Sequence, residues 1–190
     1  MEDLCEDLAD LCVESRVTAP GDAYRRPSRQ NFMDRFTTDM RRPGFAMVIA
    51  EMDRVMGRAF GFPVPGDGSW WVGFDGTLPR SIDQLTLSGR AFAFGNIFVR
   101  SHPQDRDLAL RSQERLLTEH QASLGATLVD QADRVTLAAL RSRGWPDIGV
   151  FRRPAGPTTF RVLVLPVGER TAARLEDLVT MPGGGGPGGP

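Results

Sequence analysis

The spacing of apolar positions changes several times along the chain. From Asp3 to Val13, Leu4, Leu8, Leu11 and Cys12 recur at helical spacing with Asp and Glu between them, which predicts an amphipathic helix. "TAPGDAYRRPS" breaks it. Ser28 is a good N-cap for a second helix, running through Phe32, Met33 and Phe36 to Met40 and stopped by "RRPG". "FAMVIAE" (Phe45 to Glu51) and "RVMGRAFGFPV" (Arg54 to Val64) are rich in strand formers and separated only by Met52 and Asp53, the pattern of a hairpin. Gly57 and Gly61 in the second run predict bulges or close backbone approach.

After a Pro/Gly loop and "SWWVGF", Pro79 to Leu87 predicts a short helix. "RAFAFGNIFVR" (Arg90 to Arg100) is the most apolar strand candidate, and Gly95 in its middle reads as a bulge or as a tolerated glycine. A loop and a helix to about Ala122 follow, then a strand "GATLVD" (Gly125 to Asp130), a short helix Asp133 to Arg141, and the strands "WPDIGVF" and "TTFRVLVLP". Strands alternate with helices in the second half only, so the expected fold is a mixed α/β sheet with a parallel strand–helix–strand unit at its centre. One domain is expected over residues 1–166. From Val167 a weak helix leads into "MPGGGGPGGP"; the segment 167–190 is read as a tail, disordered from 181, because it buries too little apolar surface to offset its ordering entropy.

Charge narrows the function. All 23 basic residues are Arg, yet the formal net charge is -1, so the basic excess that nucleic-acid or anionic-membrane partners require is missing. No apolar run reaches membrane length, and the acidic start "MEDLCEDLADL" is the opposite of a signal peptide, so the expected location is cytoplasmic. Cys5 and Cys12 then read as reduced thiols. His102 and His120 are the only histidines and neither has metal-ligand spacing around it, so no metal is expected. His102 could serve as a base, although a solvated loop histidine is the plainer reading, and no nucleophile-elbow motif is present.

The order of elements, with "RAFAFGNIFVRSHPQDRDLA", "GATLVD" and "LRSRGWPDIG", resembles the GNAT acyltransferase family over about Leu8 to Pro166. The local pattern is most like actinobacterial members, in which a strand "ELxVRP" leads into a loop Q/R-x-x-G-x-G/A. The resemblance implies a mixed sheet of six to seven strands flanked by about four helices, and acetyl-CoA or another acyl-CoA as co-substrate. It places the cofactor along Phe98 and Val99 and on the loop Gln104, Asp105, Arg106, Asp107, Leu108 and Ala109. First-turn amides there lack intrahelical acceptors, and the helix dipole favours a pyrophosphate.

Three positions depart from the family pattern. Asp107 stands where the loop has its first glycine; at about 4 Å its carboxylate would oppose a phosphate charge by ~1 kcal/mol in water and ~4 kcal/mol at an effective dielectric near 20. Arg106 and Arg111 offset part of this, and Asp105 and Asp107 can equally serve as helix-capping acids. Asn96 occupies the position of the acidic general base and can position an acceptor or a water but cannot take a proton. In N-x-x-A-x-x-x-Y-x-x-x-G-F/W, Asp133, Thr136 and Leu140 take the Asn, Ala and Tyr positions; the resemblance makes Asp133 a further cofactor-binding candidate, and Leu140 cannot protonate a leaving thiolate. Ser112 replaces a leucine that the family buries.

Tyr24 near the first two helices, and Trp70 and Trp71 on the loop that borders the family's acceptor site, are the substrate-binding candidates, with core packing as the alternative. The resemblance implies an N-acyltransferase for a small-molecule or peptide amine, with a homodimer allowed. The competing reading is a lapsed or repurposed protein of the same fold that binds a small molecule or partner without acyl transfer.

Overall fold

The computed structural model describes residues 29–51, 55–99, 106–153, 157–168 and 171–173. The expected helix Asp3 to Val13, with Cys5 and Cys12, and the tail beyond 173 lie outside the described residues. Helix α1 (Arg29–Met40) leads to the hairpin β1 (Ala46–Glu51) and β2 (Val55–Pro63). A single 3-10 turn (Ser69–Trp71) and helix α2 (Arg80–Leu87) follow, then β3 (Ala91–Val99). Helix α3 (Arg106–Glu119), β4 (Leu124–Asp130), α4 (Arg134–Arg141), β5 (Asp147–Arg152) and β6 (Thr159–Pro166) complete the chain.

The six strands form one sheet in the order β1-β2-β3-β4-β6-β5. Every neighbouring pair is antiparallel except β3 and β4, which are parallel and joined through α3. This is the mixed α/β sheet, with its central strand–helix–strand unit, that the alternation of elements predicts.

Side-chain alternation sorts the core onto two faces. Ala91, Ala93, Leu124, Ala126, Val162 and Val164 pack with Trp71 and Ile82, so α2 and the tryptophan loop cover one face. Phe92, Phe94, Val129 and Leu163 pack with Leu116, Leu117, Leu137 and Leu140, so α3 and α4 cover the other. Phe36 of α1 meets Phe60 on the first face, with ring centroids 5.0 Å apart. Gly61 is a close approach: a Cβ there would sit 2.1 Å from the Ala93 carbonyl oxygen. Ser112 is buried in α3 and donates to the Leu108 carbonyl at 2.8 Å, so the helix carries a hydroxyl there without an orphaned group. The β5 edge is occupied by the tryptophan loop, through Asp75 N–H to Val150 O and Arg152 N–H to Gly73 O, both 2.8 Å.

Candidate functional site

The ladder between β3 and β4 runs from Ala91 opposite Leu124 to Phe94 opposite Thr127 and stops there. Beyond that rung β3 stays with β2 to Val99, while β4 stays with β6 to Asp130. The two central strands therefore part. Their facing backbone groups, Asn96 to Val99 on one side and Leu128 to Asp130 on the other, are left without each other as partners. The Thr127 hydroxyl donates to the Phe94 carbonyl at 3.1 Å, at the last rung before the gap.

The cause of the parting is in the β2–β3 register. Phe60 pairs with Asn96 and Gly61 with Phe94, so Gly95 is an extra residue on β3. Such a bulge bends and twists the strand that carries it, and here it turns the second half of β3 away from β4. Glycine is required: a Cβ on Gly95 would lie 2.7 Å from Asp39 Oδ2 and 2.8 and 3.2 Å from two Phe60 ring carbons.

Asp39, near the end of α1, thus reaches over the bulge. Arg42 donates from Nε to Asp39 Oδ1 at 3.3 Å. Burial pushes the Asp39 carboxyl above its ordinary range, and the positive charges of Arg42, Arg153 and Arg35 recover only part of that. Arg153, just past β5, is pushed down by its own burial and by the charges of Arg35 and Arg42, with Asp39 acting in the opposite direction. Arg42 and Arg153 each stack on a ring of the same sheet face, 4.4 Å from the Phe62 centroid and 5.2 Å from that of Phe160. Asn96 lies next to the bulge, and its Oδ1 is buried without a hydrogen-bond partner among the described residues.

The sequence candidates fall into different places. Tyr24, His102, Gln104 and Asp105 lie outside the described residues. Arg106, Asp107, Leu108 and Ala109 form the first turn of α3, the next described element after the parted half of β3, with Ala109 buried. Phe98 and Val99 are the last two residues of that half. Asp133 is the N-cap of α4: its carboxylate accepts from Thr136 N at 3.1 Å and from Thr136 Oγ1 at 2.8 Å. Leu140 is a core residue of the α4 face, packed with Trp145 and Leu116.

Trp71 is core too, and its indole N–H donates to Thr86 Oγ1 at 2.9 Å. Trp70 is partly buried, edge-on to Trp71 at 4.5 Å. Asp39, Arg35, Arg42 and Arg153 were not candidates from sequence. Asp39 sits at a polar position of an amphipathic helix, and nothing local in sequence ties it to Gly95. Among the described residues no group of three or more His, Cys, Asp or Glu could hold a metal, and no helix is long and apolar enough to cross a membrane.

No protein-family model matches the chain, and no curated protein matches it in sequence. Solved structures match it in fold. A crystal structure assigned to the GNAT acetyltransferases, from Desulfovibrio desulfuricans, superposes with a TM-score of 0.55 at 13% identity, covering 88% of this chain and 95% of that one. PaiA N-acetyltransferase from Thermoplasma acidophilum, in complex with coenzyme A, gives 0.53 at 9% identity over 86% and 93%. The spermidine/spermine N-acetyltransferase SpeG from Vibrio cholerae gives 0.50 at 8% identity over 94% of each chain. With its parallel central pair parted at a bulge and linked through a helix, the chain has the fold of the GNAT acetyltransferases.

Proposed function

We propose that the protein is an acyl-CoA-dependent N-acyltransferase that moves an acyl group directly from the thioester to an amine, with no covalent enzyme intermediate. The observation that carries the reading is the parting of β3 and β4 beyond Phe94. A parallel pair inside a sheet ordinarily continues its ladder, because unpaired buried backbone groups are costly. Here the edge of β3 beyond Phe94 no longer pairs with β4, and backbone groups set along such an edge suit the amide groups of a pantetheine arm.

In this reading the backbone of Asn96 to Val99 takes the pantetheine. The α3 first turn, with the preceding Gln104 and Asp105, takes the pyrophosphate on free N–H groups. The co-substrate, acetyl-CoA or another acyl-CoA, supplies an activated carbonyl. What the chain adds is alignment: holding amine and thioester together can supply about 7–11 kcal/mol of the barrier. The orphaned Asn96 Oδ1 is available to accept from the incoming amine or from a water. The Thermoplasma acidophilum protein of the same fold holds coenzyme A, which supports a coenzyme A thioester as the co-substrate.

The test is calorimetric titration of acetyl-CoA into the wild type and into Asp107→Gly, followed by thiol release with amines. Saturable binding by the wild type, tightened about 10-fold or more by removing the carboxylate, is expected. Binding by neither protein sinks the proposal.

A further inference from the structure

The polar groups around the bulge are unbalanced in charge. Among the described residues Asp39 is the carboxylate that reaches the bulge, and the cations that act on it come from three directions: Arg35 on the same helix, Arg42 beyond its end and Arg153 beyond β5. Arg42 bonds the carboxylate, Arg35 and Arg153 act on it through their charge, and Asp39 itself lies over the Gly95 bulge where β3 leaves β4. Arg42 is already bonded to Asp39, and its guanidinium lies on Phe62. Arg153 is held over Phe160, on the same sheet face, and is exposed to an incoming molecule. Like charges gathered in a partly buried place are costly unless an anion joins them.

Resting on the acyltransferase reading above, we propose that the acceptor is an amine that also carries a carboxylate, docked with its nitrogen at Asp39 and its carboxylate on Arg153 and Arg35. A guanidinium fork fits a carboxylate, and the cationic surplus disfavours a polyamine. The same placement makes Asp39 the proton acceptor that Asn96 cannot be. As the free amine attacks the thioester carbonyl, the C–N bond forms and a proton on nitrogen passes to Asp39. The C–S bond then breaks and the thiolate takes a proton from solvent, to which Asp39 returns its own. Burial favours the protonated carboxyl, which makes Asp39 a stronger base than a solvated aspartate.

The experiment is a thiol-release assay with acetyl-CoA and the full chain, offering the twenty amino acids, spermidine and propylamine in parallel. One or more amino acids are expected to be acylated with kcat/KM roughly 10- to 100-fold above propylamine, with spermidine the poorest. Arg153→Met should raise KM for the amino acid by roughly 10- to 100-fold while leaving the acetyl-CoA KM unchanged. Asp39→Asn should lower kcat by about 10²–10⁴-fold and remove one acidic limb of the wild-type kcat/KM profile, leaving the limb that belongs to deprotonation of the amine itself. A merely structural role would lower the folded fraction and leave both limbs in place.

Preference for spermidine or propylamine, or an amino-acid KM indifferent to Arg153→Met, overturns the proposal and leaves the acyltransferase reading standing. A wild type that binds no acetyl-CoA in the calorimeter overturns both.

Discussion

Replacing Gly95 by alanine tests whether the bulge is built by close packing. The added Cβ would lie 2.7 Å from Asp39 Oδ2, 2.8 Å from Phe60 Cε2 and 3.2 Å from Phe60 Cδ2. Asp39 is the far end of a side chain held by one 3.3 Å bond from Arg42, and it can turn away at smaller cost than a packed ring. Phe60 cannot: it is 2% exposed, with the Phe36 ring 5.0 Å and the Phe45 ring 5.8 Å from its own centroid. Overpacking of this kind costs about 1–3 kcal/mol. The expected result is that loss of stability in urea unfolding, read as a lower midpoint at constant slope.

A double variant separates the two neighbours. Adding Asp39→Ala to Gly95→Ala should recover little of the loss, whereas adding Phe60→Leu should recover part of it relative to Phe60→Leu alone, because the smaller side chain makes room. Gly95→Ala as stable as the wild type to within a few tenths of a kcal/mol would refute the reasoning.

Further outcomes follow from the same packing. Leu140→Ala removes a 6%-exposed side chain from the α4 face and should cost about 2–5 kcal/mol in denaturant unfolding. Trp71→Phe deletes the bond to Thr86 Oγ1 and should cost about 1–3 kcal/mol while leaving acetyl-CoA affinity unchanged in calorimetry. Asp147 tests linkage. Burial pushes its carboxyl up, but the hydrogen bonds from Arg161, 2.7 and 2.8 Å, and from Arg141 outweigh burial and hold it below the 3.8 of a free side chain. A depressed carboxyl adds stability above its unfolded pKa and loses it as pH falls through the folded value. Arg161→Met should therefore cost about 1–3 kcal/mol at pH 7, and the gap to wild type should close as pH is lowered from 4 toward 2 in urea titrations.

Much of the fold was legible because its elements carry strong local signals. The hairpin, the apolar β3 and the helix–strand alternation after it each rest on a period or a turn signal within a few residues. Gly95 was legible only as an ambiguity, since a glycine inside a strand becomes a bulge through the register of its neighbour, β2. Trp70 and Trp71 read as loop aromatics, but the loop folds back onto the sheet face, and Trp71 is buried there. Asp39 and Arg153 were not legible at all. Each looks like an ordinary solvated charge in its own segment, and only the crossing of α1 over the bulge and the lie of Arg153 back over Phe160 of β6 bring them toward each other.

The most direct measurement is an amide NMR titration of the full chain with coenzyme A. The account predicts that the largest shift changes fall on Asn96 to Val99, on Leu128 to Asp130 and on the first turn of α3, with β1 and α2 unmoved. Saturable shifts that cluster elsewhere, or no shifts at millimolar coenzyme A, would contradict it.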